Sequence, residues 1–286
     1  MSDVHLGDHD PDTAEWFMAE LAAHARAISH LFVLGDLFDA WVGDDWADEV
    51  SSRLLARFSR LSMAGLRLLV MRGNRDFLLD VARPAAASAC EASTKPAASS
   101  DAAASFSERC GATMIDDPCV IELFGTQVLL AHGDALCTDD IDYQQFRLQA
   151  RTPAWQQGFL AQPLEARVAA ARAMRAQSEQ SKGGKAGYLM DVNAGAVADA
   201  MRRARVRCLI HGHTHRPAEH RFDLDGALAE RWVLPDWDAG GLTTTAAPAL
   251  PGGIAQRSRR GGFLRVDARG WQRLGDWPPN LSRPSG

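Results

Sequence analysis

The sequence predicts an α/β protein interrupted by a helical insertion, and three observations carry that expectation. Short apolar runs recur, each ending in a polar, glycine-marked turn: "HLFVLGD" (30–36), "LRLLVMRGN" (66–74), "QVLLAHGD" (127–134) and "RCLIHGH" (207–213). Helical spacing of apolar residues fills the gaps between the early runs, near 12–28 and 47–63. A mainly helical pattern over 139–190 then breaks the alternation.

The apolar runs are continuous and not alternating, as expected for strands buried on both faces. In layered α/β folds, sites gather beyond the carboxyl ends of such strands, and the polar residues fall there. "CVIELFGTQVLL" (119–130) predicts a hairpin around Gly125-Thr126. A final strand pair is expected near 262–267 and 271–276. Residues 84–107, rich in Ala and Ser, predict a flexible insertion, and 239–259 a loose loop. The expected organisation is a core of 1–138 and 191–286 with a helical cap of 139–190.

Composition narrows the classes. A chain of 286 residues with 46% apolar and 23% charged residues is an ordinary globule long enough for one large domain with an insertion. A net charge of −5 gives no general reason to bind nucleic acid. No run approaches the roughly 18 apolar residues of a membrane span, and no signal-peptide pattern opens the chain. The five cysteines (Cys90, Cys110, Cys119, Cys137, Cys208) are scattered without a CxxC pair, which fits reduced thiols in a cytosolic protein and argues against a structural zinc site.

The chemistry lies at the ends of the runs. Asp3 and His5 in "SDVHL" are two apart, and residues so spaced on a strand point the same way. Asp36 follows in "GDLFD", Asn74 in "GNRDF", His132 in "HGD", and His213 and His215 in "GHTH", with His211 as a supporting residue. Imidazole and carboxylate donors without thiolates suit Mn²⁺, Fe²⁺ or Zn²⁺. Two aspartates, one asparagine and four histidines exceed one tetrahedral ion but suit two ions sharing a carboxylate. The neutral amide of Asn74 would complete coordination without repelling an incoming phosphate, and Arg75 beside it offers a forked guanidinium to that phosphate. Taken singly, each of these residues also has an ordinary role as a turn former, a helix cap or half of a surface Arg75–Asp76 pair. Their joint occurrence favours the metal reading.

In that order, "SDVHL", "GDLFD", "GNRDF", "HGD" and "GHTH" resemble the five blocks of the calcineurin-like metallophosphoesterases. "GDLFDAWVGDD" (35–45), "GNRDFLL" (73–79), "HGDALCTDDIDYQQFR" (132–147), "MDVN" (190–193) and "HGHTHRP" (211–217) are similar to the UDP-2,3-diacylglucosamine diphosphatase branch of that superfamily, which serves lipid A assembly. The resemblance implies a two-sheet β-sandwich flanked by helices, with two divalent metal ions, Mn²⁺ foremost. It implies that Asp3, His5 and His215 hold the first ion, that Asn74, His132 and His213 hold the second, and that Asp36 bridges them. Asp36, Asn74, Arg75, His132 and His213 would form the catalytic set. Asn74, Arg75, His213, Asp140, Tyr143, Ser178, Lys182 and Lys185 would contact substrate.

The implied reaction is hydrolysis of the pyrophosphate of a lipid-linked nucleotide sugar by attack on the phosphorus nearest uridine. The expected location is cytoplasmic, peripheral on the inner face of the inner membrane, with no obligatory protein partner. The cap sequences "PAWQQGFLAQPL" (153–164) and "PLEARVAAARAMRAQ" (163–177) predict a slot in which Trp155, Phe159, Leu160 and Leu164 meet acyl chains while Arg167, Arg172 and Arg175 face headgroups. The resemblance also places a hydrophobic strand before Asp-x-His, whereas two residues precede Asp3 here, so a late-assigned start or a truncation and a shortened strand are expected. Two rival readings use the same blocks: an esterase of soluble nucleotides or phosphoproteins, which has no need of the cap, and a noncatalytic scaffold, which would bind no stoichiometric Mn²⁺.

Overall fold

The computed structural model describes residues 1–84, 104–184, 191–240 and 259–277, and the backbone alone at 178–184. Its first half runs α1 (Pro11–His24), β1 (His30–Leu34), α2 (Glu49–Met63), β2 (Arg67–Met71), α3 (Phe106–Cys110), β3 (Ala112–Ile115), β4 (Cys119–Leu123) and β5 (Thr126–Ala131). Then follow α4 (Ile141–Ala150), α5 (Pro153–Leu160), α6 (Leu164–Gly184), α7 (Ala194–Ala204), β6 (Cys208–His211), β7 (Ala218–Leu224), β8 (Ala227–Val233), β9 (Gly261–Asp267) and β10 (Gly270–Asp276).

Two sheets stack. One is parallel, in the order β1-β2-β3, and the other is mixed, in the order β4-β5-β6-β8-β7. In the mixed sheet β5, β6 and β8 run parallel, and the edge strands β4 and β7 are antiparallel to their neighbours. Side-chain alternation shows why the apolar runs had to be continuous. Leu31, Val33, Leu68 and Val70 face a core shared with α1 and α2. Leu34 and Met71 point the other way and pack on Val128, Leu130, Cys208 and Ile210 of the second sheet. Leu129 and Leu209, on the reverse of that sheet, meet Val197 and Met201 of α7. The layers are therefore helix, sheet, sheet, helix, with each central strand buried on both faces.

The helices follow from caps and stripes. Pro11 opens α1 and the Asp10 side chain caps Thr13 N. Asp48 caps α2, whose buried Val50, Leu54, Leu55 and Phe58 form one stripe. Burying Phe58 contributes roughly 1.5–3 kcal/mol. Asn193 caps α7 in the same way.

All four apolar runs became strands, and the hairpin near Gly125 and the final strand pair formed as expected. The expected loop 239–259 lies outside the described residues over 241–258, as does the expected insertion over 85–103. At the end of that insertion Phe106 is fully buried and opens α3 behind a Ser105–Glu108 capping box, so the expectation of a flexible stretch does not hold at 105–107.

Asp3 and His5 need a correction. The Met1 carbonyl accepts from Leu34 N at 2.8 Å, but strand geometry does not reach the ligands, because both take left-handed backbone conformations (φ 54° and 52°). A steric turn, and not strand alternation, aims them.

The cap also corrects an expectation. Phe159 and Leu160 are buried in the main core, with Trp155 and Leu164 packed against it. Arg167 is 1% exposed and forks onto Asp45, with Nη1 to Oδ1 at 2.8 Å and Nη2 to Oδ2 at 2.5 Å, while also bonding the Val42 carbonyl. These groups fasten α5 and α6 to the loop after β1, so neither Arg167 nor the two core side chains line an open lipid slot. Arg172 is exposed.

Candidate metal centre

Four strand ends converge on one place. β1 delivers Asp36, β2 Asn74, β5 His132, and β6 His213 and His215, while the chain start brings Asp3 and His5 alongside. Among the described residues, two groups of three donors have ligand atoms within 4.8 Å of one another: Asp3, His5 and His215, and Asp36, His132 and His213. In the first, His5 Nε2 lies 3.2 Å from His215 Nε2, which is 3.6 Å from Asp3 Oδ1. In the second, His132 Nε2 is 3.6 Å from Asp36 Oδ1. The amide oxygen of Asn74 joins this group, 2.9 Å from His132 Nε2 and 2.8 Å from His213 Nδ1. Asp36 also reaches the first group, with Oδ2 3.9 Å from His5 Nδ1. All seven expected donors are brought together, and Asp36 lies between the two groups.

Backbone strain accompanies this convergence. Asp3, His5, Asp36, His213 and His215 all have positive φ, between 52° and 67°. Such conformations are uncommon for non-glycine residues and cluster where surrounding structure over-determines them. Two glycines allow the loops to touch. A β-carbon at Gly212 would lie 2.2 Å from Asp3 Oδ2, and one at Gly73 would run into Asp36.

Buried carboxylates that sequence reasoning passed over hold these loops. Asp76, whose ordinary role would be half of a surface pair with Arg75, is fully buried. It accepts from Leu37 N and Gly73 N at 2.7 Å, and from Asp36 N and Phe38 N at 3.3 Å, tying the Asp36 loop to the Asn74 loop. Arg75 turns instead to Asp39 at 3.6 Å, while its backbone N–H donates to Asp36 Oδ1 at 2.8 Å. Asp117 accepts from His132 N at 2.9 Å. Asp134 accepts from Tyr143 Oη at 2.6 Å and Arg147 Nε at 2.8 Å, joining α4 to the metal loops. The signal for Asp76 and Asp134 was present in "GNRD" and "HGD", but a carboxylate that serves backbone amides looks in sequence like any turn residue.

The expected substrate residues divide. Tyr143 stacks beside His213 with ring centroids 6.0 Å apart. Asp140 caps α4 through Tyr143 N at 3.2 Å. Lys185 and the side chains of Ser178 and Lys182 lie outside the described residues.

Electrostatics and orphaned atoms suit a cation. Burial, reinforced by Asp76 and Asp3, pushes Asp36 up to about 7 against the pull of His132. Burial alone would lower His132, but Asp36 and Asp134 carry it up to about 9. Burial and the charge of His132 press His213 down to about 3. The His132 Nδ1–H donates to the Leu34 carbonyl at 2.9 Å, which turns Nε2 towards Asn74 and Asp36. Asp3 Oδ1 and His5 Nδ1 are buried without hydrogen-bond partners. Oxygen and imidazole donors with such vacancies fit borderline divalent ions.

Comparison with known proteins agrees. The family model described as calcineurin-like phosphoesterase matches residues 1–217. A UDP-2,3-diacylglucosamine hydrolase of Chromohalobacter salexigens is 42% identical, over 84% of this chain and 88% of that one. The protein of that name from Cellvibrio japonicus is 40% identical over 90% and 97%, and that from Bordetella pertussis 39% over 95% and 92%. With its strand-end donors in the order of that family, the chain belongs to the calcineurin-like phosphoesterases and, among them, to the group of the UDP-2,3-diacylglucosamine hydrolases.

Proposed function

We propose that this chain hydrolyses the pyrophosphate bond of UDP-2,3-diacylglucosamine to UMP and 2,3-diacylglucosamine 1-phosphate in lipid A biosynthesis. The observation that carries this reading is the meeting of two donor groups at Asp36, in a chain about 40% identical to hydrolases of that name.

Asp3, His5 and His215 would hold one divalent ion and Asn74, His132 and His213 a second, with Asp36 shared. The oxygen and nitrogen donor set supports Mn²⁺. When bound, such a pair supplies Lewis acidity and lowers the pKa of water. The chain's own residues do the rest. His132 and His213 act as ligands and not as bases, since Leu34 holds the His132 Nδ1 proton and both rings face Asn74. Arg75 offsets charge on the nonbridging phosphoryl oxygens and orients the phosphorus nearest uridine for in-line attack. Asn74 contributes an uncharged oxygen, so the approaching diphosphate meets no extra anion.

Tyr143 and Asp140, with Ser178, Lys182 and Lys185, would meet the nucleotide and glucosamine parts. Among the described residues no helix is long and apolar enough to cross a membrane. The acyl chains of the substrate and exposed Ile141 and Leu148 on α4 support a peripheral position at the inner membrane.

The test is direct. Purified protein is incubated with UDP-2,3-diacylglucosamine and Mn²⁺, and the products are separated. UMP is expected, with its release abolished in Asp36→Ala. Uridine diphosphate in its place would contradict the site of attack, and full activity in Asp36→Ala would overturn the mechanism.

A further inference from the structure

Beyond the seven donors, the loop after β8 brings one more carboxylate to the site. Asp236 in "LPDWD" is 5% exposed, and its Oδ2 lies 3.2 Å from Nδ1 of His215. The other ring nitrogen, Nε2, faces Asp3 and His5. One imidazole thus has its back to a carboxylate and its front to the metal-ligand atoms.

We propose that Asp236, clamped by Arg260, is the positioning residue that fixes the tautomer and ring plane of His215, and so sets the affinity of the Asp3–His5–His215 group for its cation. The inference rests on the reading above that this group holds a divalent ion. It goes beyond that reading by assigning a role outside the ligand set.

Several observations restrain Asp236 itself. Arg260 meets it in a two-pronged pair, Nε to Oδ1 and Nη2 to Oδ2. The Arg260 backbone is paired in turn with Asp238, through bonds of 2.7 and 2.9 Å in the two directions. On either side of Asp236, Leu234 N donates to the His211 carbonyl at 2.8 Å and Trp237 N donates to the Asp3 carbonyl at 3.0 Å. The loop is therefore stitched to both backbone segments that carry the first donor group. Trp237 locks it from behind, packed against Trp16 and Phe17 with ring centroids 5.0 Å away from each.

Elementary chemistry then gives the consequence. A carboxylate accepting the Nδ1–H leaves Nε2 with its lone pair, makes that lone pair more basic and prevents the ring from turning. Without it, His215 can rotate, which withdraws Nε2 from the site, or take the other tautomer, which occupies the Nε2 lone pair with a proton. A merely structural Asp236–Arg260 pair would stabilise the fold equally whether or not His215 were present.

The experiment measures Mn²⁺ binding by equilibrium dialysis with elemental analysis, and follows the bound ions by electron paramagnetic resonance. It uses the full chain, as wild type, Asp236→Ala, Asp236→Asn, His215→Ala and the Asp236→Ala/His215→Ala double variant. Wild type is expected to hold two Mn²⁺. Asp236→Ala should weaken one of them by about 10–100-fold and leave the other unchanged. Asp236→Asn, whose amide oxygen still accepts from Nδ1–H, should recover part of that loss. In the His215→Ala background the second substitution should weaken Mn²⁺ no further, which separates positioning from general damage. Melting of the metal-free variants records any loss of fold independently. Two Mn²⁺ held by Asp236→Ala with wild-type affinity would overturn the inference while leaving the metal reading intact. Equal losses in both backgrounds would also overturn it, making Asp236 a structural residue. Wild type that binds fewer than two Mn²⁺ would sink the metal reading and this inference together.

Discussion

Gly73 and Asp36 touch so closely that a β-carbon on Gly73 would lie 2.1 Å from Asp36 Oδ1 and 2.2 Å from its backbone nitrogen. No rotamer relieves contact with a backbone atom, so Gly73→Ala must push the β1 and β2 loops apart. Overpacking of this kind costs about 1–3 kcal/mol, and a misplacement near 1 Å at a reacting centre costs on the order of 100-fold in rate. The expected outcome is a folded variant with kcat/KM reduced by roughly that factor and weakened metal binding at the Asn74 group. Wild-type kinetics would show that the loops do not need to touch.

Asp76 is the mirror of that contact, since it pulls the same two loops together. Asp76→Ala leaves four buried N–H groups without their acceptor. At about 1–3 kcal/mol for each orphaned donor, partly relieved by water, a loss above about 3 kcal/mol is expected. In a chain of this size that lowers the melting temperature by roughly 6–12 °C. Asp76→Asn, with one accepting oxygen in place of two, should fall between. Thermal melting of both variants checks this, and a melt at the wild-type temperature would remove the strut.

The metal-free protein should lose stability as pH rises from 6.5 towards 10. His132 stands at about 9 and His215 at about 10, both above the ordinary 6.5, because acidic neighbours outweigh burial: Asp36 and Asp134 for the first, Asp236 and Asp3 for the second. A base whose folded pKa is raised stabilises fully below its unfolded value, and that stability is lost through the folded one. Asp36, raised to about 7 by burial, acts in the same direction over the lower part of the window. Mn²⁺ requires neutral imidazoles and ionised carboxylates, so its stabilisation should grow over the same range. Melting curves in chelator and in saturating Mn²⁺ test the pair of slopes. A flat or rising curve in chelator refutes the expectation.

How much of this was legible in sequence depended on where a residue's partners lie. The strands β1, β2, β5 and β6 could be read because burial on both faces makes them continuous apolar runs, and the seven donors could be read because each follows a strand or opens the chain. β7 and β8 escaped notice. "AEHRFDL" and "ALAERWV" intersperse charged residues among their apolar ones and pair through the tight Asp225-Gly226 turn, so apolar content alone does not mark them. Arg167 on α6 reads in sequence as a headgroup-facing charge of an amphipathic cap helix, and only the fold reveals Asp45 beneath it. Nor does a sequence announce that histidines and aspartates will adopt left-handed backbone, because the strain is imposed by neighbours distant in the chain.

Arg75 and Arg175 meet at one carboxylate, and this suggests how substrate is received. Asp39 pairs with Arg75 at 3.6 Å and more tightly with Arg175 of α6, with His9 4.0 Å away. The core thus lends one guanidinium and the cap another to a single anion at the edge of the metal centre. A diphosphate carries more negative charge than Asp39 and offers forked oxygens to both, so it should draw the two arginines from their resting partner. The two should then separate kinetically. Arg75 adjoins Asn74 and, on the proposed reading, would face the reacting phosphorus, so Arg75→Ala should lower kcat, while its backbone bond to Asp36 survives. Arg175 arrives from the cap, so Arg175→Ala should chiefly raise KM. Hydrogen bonds to charged groups are worth about 1.5–3 kcal/mol, which sets each effect at roughly 10–150-fold. Steady-state kinetics on the acylated substrate read the split. An unchanged KM in Arg175→Ala would confine that side chain to fastening α6 against the core.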